Sequence, residues 1–462
     1  MTQHMCDVAV IGAGTAGLAA FRAAEAAGAD AVLIERGPGG TTCARVGCMP
    51  SKLLVSAAAA AHDARHASLF GISVGAVSVD GPAVMARVRA ERDRFVGAVL
   101  DGVDAIPAAK RLSGAARFLD ANTLAVGEGR RVAFRAAVIA TGSSPSVPKP
   151  LQPLGDAVLT TDTVFELPDL PKSLAVIGAG PVGIEIAQAM ARLGVAVALF
   201  DTGSRLAGLG EPGLREQAAA IFAEEMTLHL GSNLVAAEPV ADGACLTWTA
   251  ADGDRRTQTF ARVLAAAGRP PNLNGLGLAE AGLRLDEAGM PSFDPRTLVC
   301  AGAPILIAGD ANAVRPVLHE ASRQGDIAGR NAAALAAGDA PEAPEPWPAL
   351  AMVFTHPQAA TVGLPFEAGA DRVVGGMRFD DQGRARVEGV NRGGIRLWAD
   401  RSGRLLGGEM LGPSCEHLAH LLAHAIGDRL TAREVRARPT YHPTVEEGLA
   451  SALSDLIQRV EG

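Results

Sequence analysis

The sequence contains one βαβ pattern twice, and this repeat limits the possible folds more than any other feature. Residues 8–14, Val-Ala-Val-Ile-Gly-Ala-Gly, return as residues 174–180, Leu-Ala-Val-Ile-Gly-Ala-Gly. The match continues without a gap through three further pairs: Gly17 and Gly183, Gly28 and Gly194, and Glu35 and Asp201. Each copy has the pattern of a buried strand, a glycine turn, an alanine-rich helix and a second strand ending in an acid. The chain is therefore expected to carry two dinucleotide-binding domains.

The glycine turn of the first copy has the spacing Gly12-x-Gly14-x-x-Gly17. The first glycine of such a turn permits a tight bend, the second lets the backbone approach a pyrophosphate, and the third lets helix and strand pack closely. The following helix directs its free N–H groups at the phosphate. Glu35 then stands where a carboxylate accepts hydrogen bonds from a ribose. Glycine turns that bind no nucleotide are common, but here the strand, the helix and the acid stand at the same spacing in both copies of the pattern.

The second copy, with Gly178, Gly180 and Gly183, also predicts which nucleotide is preferred. An acid at the end of the second strand favours the free 2′-hydroxyl of NAD and repels the 2′-phosphate of NADP. Asp201 is that acid, although Arg205 follows four residues later and would soften the preference. We therefore expect NAD rather than NADP.

Length, charge and hydropathy exclude several classes of protein. A chain of 462 residues should form two to four domains at roughly 100–200 residues each. The net charge of −8 does not indicate nucleic-acid binding, which is typical of proteins with a basic surface. No signal peptide is evident at the N-terminus, and no apolar run reaches the roughly 20 residues that cross a bilayer. We expect no membrane association and a cytoplasmic location, where a close cysteine pair is more often catalytic or metal-binding than structural.

Cys43 and Cys48 form such a close pair, with four residues between them. One helical turn would bring their sulfurs into bonding range, and Pro50 suits the first turn of a helix. Cys48 is then expected near a helix N-terminus, where a thiolate is stabilised. An inert buried pair and half of a zinc site are the alternatives, but zinc sites usually show a second matching pair, which is missing here. Redox chemistry is favoured, and no metal is expected.

Residues 40–52, Gly-Thr-Thr-Cys-Ala-Arg-Val-Gly-Cys-Met-Pro-Ser-Lys, resemble the signature of the pyridine nucleotide–disulfide oxidoreductases. The resemblance extends over essentially the whole chain and implies that FAD and a pyridine nucleotide are bound. One departure is visible, because the family usually has glycine where Thr41 stands. That change is expected to affect the loop over the pyrophosphate and to leave the cysteines in place.

The resemblance assigns cofactor-binding roles along the chain. Those implied for FAD are Gly12, Gly14, Gly17, Glu35, Thr141, Gly142 and Asp310, with Lys52 beside the flavin ring. Those implied for the pyridine nucleotide are Gly178, Gly180, Gly183 and Asp201, with Gly268 and Arg269 at the crossing back towards FAD.

The resemblance also assigns catalytic roles. Cys48 would be the thiolate against the flavin and Cys43 the thiol that exchanges with substrate. His442 would be the acid–base, oriented by Glu447. Lys52 and Glu185 would pair beside the flavin, although two solvated helix charges are the simpler interpretation of that pair.

The expected fold is α/β, with two Rossmann-like dinucleotide-binding domains and a C-terminal α+β dimerisation domain. Proline-rich stretches and strand patterns place domain boundaries near residues 147, 266 and 340. The resemblance then implies an FAD domain at 1–147 and 267–340, an NAD domain at 148–266 and the dimerisation domain at 341–462. The resemblance implies a homodimer with a shared active site, to which one subunit contributes His442 and Glu447.

The resemblance favours oxidation of dihydrolipoamide with NAD, since Pro50-Ser51-Lys52 is the form found in dihydrolipoamide dehydrogenases and mercuric reductases. A lipoyl-bearing protein of a 2-oxoacid dehydrogenase or glycine-cleavage complex would then be a partner. Reduction of another disulfide, as in glutathione reductases, remains an alternative, although these more often have lysine in place of Ser51. Reduction of mercuric ion is a further alternative, but the C-terminal cysteine pair typical of mercuric reductases is not seen. A flavin NADH oxidase or transhydrogenase would bypass the cysteines altogether.

Overall fold

The computed structural model describes residues 2–369 and 371–462, and the chain divides into two compact units. The first unit consists of Met1–Pro50, Arg89–Pro145 and Arg269–Pro346, and the second of Ser51–Val88, Ser146–Gly268 and Trp347–Gly462. Each unit is thus assembled from three separate stretches of chain. The domain boundaries expected at 147, 266 and 340 remain predictions.

The described residues form 22 strands and 11 α-helices. The strands are β1 (Thr2–Met5), β2 (Val8–Ile11), β3 (Ala31–Glu35), β4 (Arg111–Ser113), β5 (Ala116–Asp120), β6 (Thr123–Val126), β7 (Arg130–Ala133), β8 (Ala136–Ile139), β9 (Val158–Leu159), β10 (Ser173–Ile177), β11 (Ala196–Asp201), β12 (Thr227–Leu230), β13 (Asn233–Val240), β14 (Gly243–Thr249), β15 (Arg255–Phe260), β16 (Arg262–Ala265), β17 (Ile305–Ile307), β18 (Leu350–Val353), β19 (Gln358–Gly363), β20 (Val373–Arg378), β21 (Gly394–Ala399) and β22 (Leu405–Gly412). The helices are α1 (Thr15–Ala26), α2 (Thr42–Val46), α3 (Cys48–His66), α4 (Gly81–Asp104), α5 (Pro181–Arg192), α6 (Pro212–Phe222), α7 (Leu318–Ala337), α8 (Gly383–Val387), α9 (Cys415–Gly427), α10 (Ala432–Arg436) and α11 (Glu446–Glu461).

A parallel sheet with the strand order β17-β8-β2-β3-β4 forms the centre of the first unit. Strand β2 is buried along its whole length, and its alternate residues enter two different hydrophobic cores. Val8 and Val10 belong to one core, whereas Ala9 and Ile11 belong to the other. Side chains of a strand alternate between the two faces of a sheet, so this sheet is covered on both faces, as a near-continuous apolar strand predicts.

The second unit contains a sheet of the same design, with the order β9-β16-β10-β11-β12. In both sheets the strand before the glycine turn pairs in parallel with the strand that follows the helix. Each unit also carries an antiparallel meander, β5-β6-β7 in the first and β13-β14-β15 in the second. The sequence repeat is therefore a repeat of structure, and the two Rossmann-like domains are confirmed.

An antiparallel sheet with the order β18-β19-β22-β21-β20 forms the C-terminal part of the second unit. It shares a core with α9 and α11, in which Leu397, Met410, Leu418 and Leu456 are fully buried. Strands and helices are segregated here rather than alternating, which is the α+β arrangement expected from the sequence.

Candidate active site and nucleotide-binding turns

The first glycine turn connects β2 to α1 at the carboxyl end of a central strand. A Cβ atom on Gly12 would lie 2.3 Å from the carbonyl oxygen of Ala140, and one on Gly17 would lie 1.8 Å from the carbonyl oxygen of Gly12. Gly14, in contrast, has no neighbouring heavy atom within 4 Å of its Cβ position. The turn is thus closed to side chains where strand and helix meet and open at Gly14, where a phosphate would approach.

The second glycine turn, between β10 and α5, has almost the same geometry. A Cβ atom on Gly178 would lie 2.3 Å from the carbonyl oxygen of Ala266, and one on Gly183 would lie 1.9 Å from the carbonyl oxygen of Gly178. Gly180 again faces open space. The two turns are consequently equivalent as candidate pyrophosphate sites.

The acid that follows each turn is held by the backbone. Oε2 of Glu35 accepts a hydrogen bond from the N–H of Ala13 at 2.6 Å, and Oε1 accepts one from Gly37 at 2.7 Å. Each oxygen retains a further lone pair, which is what binding to a ribose diol requires.

Asp201 repeats this arrangement in the second turn. Its carboxylate accepts hydrogen bonds from the N–H groups of Ala179 and Gly203, both at 2.7 Å. The carboxylate is therefore fixed beside the second glycine turn, in the position that corresponds to Glu35 in the first.

Asp310 is joined to Arg269 through a serine that sequence reasoning missed. Ser143 is buried, and its hydroxyl donates to Oδ2 of Asp310 at 2.7 Å. Arg269 donates to the carbonyl oxygen of Ser143 at 3.0 Å. Three stretches that are far apart in sequence are thus linked by hydrogen bonds within the first unit. The only feature of the sequence that could have indicated this role of Ser143 is its position directly after Ala140-Thr141-Gly142.

Thr141 and Gly142 follow β8 and are held by Asn272, which was also missed. Asn272 donates its side-chain N–H to the carbonyl oxygen of Thr141 at 3.0 Å and its backbone N–H to that of Gly142 at 2.9 Å. The hydroxyl of Thr141 is buried and has no hydrogen-bond partner within the protein. An unsatisfied buried hydroxyl next to the first glycine turn fits a polar group of a bound cofactor.

Gly268 has φ of +112° and belongs to the second unit.

Cys43 lies in α2 and Cys48 is the first residue of α3. The helix N-terminus predicted for Cys48 is therefore confirmed, with Pro50 in the first turn. Cys48 is exposed, and Cys43 is half-buried. The free N–H groups of the first turn of α3 stabilise a thiolate at Cys48.

Three other cysteines, Cys6, Cys300 and Cys415, are buried. Burial raises the pKa of the thiols of Cys6 and Cys300 to about 12, and it raises the pKa of the Cys415 thiol further. Such thiols stay protonated and unreactive at neutral pH. In contrast to these buried thiols, Cys43 and Cys48 have surroundings that suit redox chemistry.

Thr41 adopts a backbone conformation that favours glycine, with φ of 56° and ψ of 150°. Its hydroxyl accepts a hydrogen bond from the N–H of Ala44 at 3.2 Å and so caps α2. The departure from the usual glycine therefore adds an N-cap at the cost of a strained backbone.

Lys52 and Glu185 are brought together as an ion pair in the second unit. Nζ of Lys52 lies 2.7 Å from Oε2 of Glu185, whose side chain is only 6% exposed. The ammonium also stands 4.5 Å from the ring centroid of Phe354, whose backbone N–H donates to Oε1 of Glu185 at 2.8 Å. Ser51 donates its hydroxyl to the same carboxylate at 2.9 Å, a contact that sequence reasoning missed. The interpretation as two solvated helix charges is therefore wrong for this pair.

His442 and Glu447 are also brought together, by the turn that leads into α11. Nδ1 of His442 lies 3.0 Å from Oε1 of Glu447, and the N–H of Thr444 donates to Oε2 at 3.1 Å. These two hydrogen bonds lower the pKa of the Glu447 carboxyl group, which is charged at neutral pH. If Nδ1 of the imidazole carries the proton, Nε2 presents its lone pair as a base.

Membrane-spanning helices and metal sites are both absent from the part of the chain that the structure describes. Within 2–369 and 371–462, no helix combines the length and the apolar character needed to cross a bilayer. In the same ranges, no group of three or more histidine, cysteine or acidic side chains is arranged to hold a metal ion.

Comparison with known proteins places these features in a family. Residues 6–325 match the pyridine nucleotide-disulphide oxidoreductases, and residues 350–453 match the dimerisation domain of that family. A mercuric reductase of Shigella flexneri is 36% identical, over 96% of this chain and 80% of the relative. A dihydrolipoyl dehydrogenase of Haloferax volcanii is 32% identical, over 98% of this chain and 96% of the relative.

Solved structures with this fold include the HOCl-induced flavoprotein disulfide reductase RclA from Escherichia coli. It superposes with a TM-score of 0.82 at 21% identity, covering 98% of this chain and 99% of RclA. LpdA from Mycobacterium tuberculosis also superposes with a TM-score of 0.82, at 23% identity, covering 99% and 100% of the two chains. At these identities the likeness speaks for the fold alone. The family matches, which span most of the chain, show that this protein belongs to the pyridine nucleotide-disulphide oxidoreductases, a family of FAD-dependent oxidoreductases.

Proposed function

We propose that the protein is an NAD-dependent dihydrolipoyl dehydrogenase, which oxidises a dithiol through a disulfide between Cys43 and Cys48. The observation that carries the proposal is the hydrogen bond of 3.0 Å between His442 and Glu447. A charged carboxylate on Nδ1 prepares an imidazole to accept a proton from a thiol. A flavin oxidase or transhydrogenase that bypasses the cysteines has no need of this base.

The dithiol step is a thiol–disulfide exchange. One sulfur of the substrate attacks the sulfur of Cys43, a mixed disulfide forms, and Cys48 leaves as a thiolate. His442 accepts the proton of the attacking thiol. The second substrate thiol then displaces Cys43, so that the substrate leaves as a disulfide and both cysteines are reduced. Two electrons have moved from substrate to protein.

FAD is the cofactor that the first glycine turn would hold. Gly12, Gly14 and Gly17 would receive its pyrophosphate, Glu35 its adenosine ribose, and Asp310 its ribityl chain. When bound, FAD would supply the two-electron redox chemistry that connects the reduced cysteines to a nicotinamide. The protein places Cys48 at the start of α3, a position that would stabilise its thiolate, and places the charge of Lys52 beside Glu185.

NAD is the nucleotide that the second turn favours. Gly178, Gly180 and Gly183 would receive its pyrophosphate, with Gly268 and Arg269 at the crossing towards FAD. The Asp201 carboxylate, fixed by two backbone N–H groups, would accept hydrogen bonds from the 2′-hydroxyl of NAD and repel the 2′-phosphate of NADP.

The working unit is proposed to be a homodimer, in which His442 and Glu447 of one subunit serve Cys43 and Cys48 of the other. The match of residues 350–453 to the dimerisation domain supports this arrangement. Mixing Cys48→Ser subunits with His442→Ala subunits should restore part of the lost activity, because one intact site forms in each heterodimer. No recovery after demonstrated subunit exchange would count against the shared site.

Dihydrolipoamide is supported as substrate by the extent of the alignments. The dihydrolipoyl dehydrogenase is covered over 96% of its length, whereas only 80% of the mercuric reductase is covered. A lipoyl-bearing protein of a 2-oxoacid dehydrogenase or glycine-cleavage complex would present the dithiol. Mercuric ion is the second candidate substrate, because the mercuric reductase has the higher identity, at 36% against 32%.

The test is NAD reduction by dihydrolipoamide, with the unmodified protein and Cys48→Ser side by side. Rapid NADH formation by the unmodified protein and none by the variant supports both the substrate and the cysteine relay. Turnover that survives Cys48→Ser would contradict the relay. An inactive protein with its flavin in place would exclude dihydrolipoamide, and oxidation of NADH or NADPH by mercuric ion would then decide for the second candidate.

A further inference from the structure

Ser51 uses its hydroxyl differently from several other helical serines of the chain. Ser56, Ser451 and Ser454 each donate to the carbonyl oxygen four residues earlier in their own helix. Ser51, in the first turn of α3, donates instead to Oε2 of Glu185 in α5, at 2.9 Å. Ser51 is a buried residue with 8% of its surface exposed, so this contact is made away from solvent.

The carboxylate of Glu185 is fixed from three sides as a result. Oε2 accepts from Ser51 and from Nζ of Lys52, and Oε1 accepts from the backbone N–H of Phe354. Because both oxygens accept hydrogen bonds, the carboxylate cannot rotate without breaking one of them, so the point at which the Lys52 ammonium binds is also fixed. The Ser51 hydroxyl lies 3.5 Å from Nζ of Lys52, with a lone pair available to it.

We infer that Ser51 is a positioning residue that sets the place of the Lys52 ammonium through the Glu185 carboxylate. The inference rests on the proposed function, in which this ammonium stands beside the flavin during hydride exchange with the nicotinamide. Ser51 supplies a neutral donor at a site that already holds one cation and one anion. A lysine at the same position would add a second cation and change the charge of the group.

The first measurement compares three variants in single-turnover reduction of the bound flavin by NADH. Ser51→Ala removes the hydroxyl, and we expect the reduction to slow by about tenfold, the effect of one lost hydrogen bond to a charged group. Ser51→Thr keeps the hydroxyl and is expected to restore most of the rate. Ser56→Ala is the matched control, because it removes a hydroxyl from the same helix that does not contact Glu185.

The second measurement follows Lys52 itself. The chain has four lysines, Lys52, Lys110, Lys149 and Lys172, so that labelling by an amine-reactive reagent can be quantified separately for each by mass spectrometry. Lys149 and Lys172 are exposed and serve as internal references in the same holoprotein molecule. In Ser51→Ala we expect Lys52 to be labelled severalfold faster relative to these references, because the ammonium leaves Glu185 more often.

The two measurements separate this inference from the proposed function. Faster labelling of Lys52 together with slower flavin reduction supports the inference. If Lys52 of Ser51→Ala is labelled at the same rate as Lys52 of the unmodified protein, the inference is overturned, whatever the enzyme's substrate. Faster labelling of Lys52 with an unchanged rate of flavin reduction overturns it as well. Failure of NADH to reduce the flavin of the unmodified protein would instead overturn the proposed function, whereas the labelling ratio would still report on the contact.

Discussion

The imidazole of His442 and the carboxylate of Glu447 are joined by a hydrogen bond of 3.0 Å between Nδ1 and Oε1. The second oxygen of the carboxylate is occupied by the N–H of Thr444. Both oxygens are therefore fixed by the turn before α11, and the imidazole is held with Nε2 available for proton transfer.

Removing the proposed base, His442, should impair the proposed dithiol step selectively. We expect His442→Ala to lower the rate of dithiol oxidation by about 10²–10⁴-fold, the usual contribution of a general base. Glu447→Gln should cause a smaller loss, because the imidazole is still present but is less firmly oriented. Reduction of the flavin by NADH, followed in the same variants by stopped-flow absorbance, should change little. Equal losses in both half-reactions would contradict the assigned role.

The fixed carboxylate of Asp201 leads to a prediction about nucleotide preference. Asp201→Asn removes the negative charge while keeping the side-chain shape, and one oxygen remains for a backbone N–H. We expect kcat/KM for NADP relative to NAD to rise by about tenfold or more, since the repulsion of the 2′-phosphate is lost. Steady-state kinetics with both nucleotides measures this ratio, and an unchanged melting temperature serves as the control for folding. A constant ratio would remove Asp201 as the determinant of preference.

The repeat predicted the fold because both glycine turns are local features. Strand, turn, helix and acid follow one another within about 30 residues, and their spacing alone determines the geometry at Gly12 and Gly178. The placement of Cys48 at a helix N-terminus was predictable for the same reason. His442 and Glu447 are five residues apart, and the family resemblance was enough to pair them.

The contacts that were missed join residues far apart in the chain. Ser51 and Glu185 are separated by 134 positions, and Ser143 and Asp310 by 167. A serine carries no sequence signal for a partner at such a distance, because its hydroxyl is satisfied equally well by its own helix or by water. Only the packing of the elements decides which of these partners it meets.

Thr41 offers a test of backbone strain at the N-terminus of α2. Thr41→Ala removes the N-cap of α2 and keeps a side chain at positive φ, so we expect it to lower the free energy of unfolding by about 1 kcal/mol. Thr41→Gly also removes the hydroxyl but relieves the strained backbone, and glycine is a good N-cap residue, so its stability should stay near that of the unmodified protein. Urea unfolding of the three proteins should give this order. Equal destabilisation by both substitutions would show that the backbone there is not strained.

The ion pair between Arg192 and Glu225 predicts how stability depends on pH. Arg192 is buried, with a side chain only 7% exposed, and donates from two nitrogens to the Glu225 carboxylate at 2.6 and 2.7 Å. Burial would raise the pKa of this carboxyl group, but the hydrogen bonds from Arg192 and Gln188 outweigh it and the pKa lies below its usual 4.5. A carboxyl group with a lowered pKa contributes stability above its unfolded pKa, and this contribution is lost as pH falls through the folded pKa.

Glu225→Gln should therefore act in two ways. At pH 7 it leaves the buried guanidinium without its counter-charge, and we expect the free energy of unfolding to fall by about 3 kcal/mol. Below pH 4.5 the unmodified protein loses the contribution of Glu225, so the difference between the two proteins should narrow. Glu224→Gln is the matched control, since Glu224 pairs with Arg392 at an exposed position and its loss should cost less than about 1 kcal/mol. Urea unfolding between pH 7 and pH 3.5 measures the free energy of unfolding of all three proteins. If the difference in this free energy between the unmodified protein and Glu225→Gln does not shrink as the pH falls, Glu225 is not charged in the folded state.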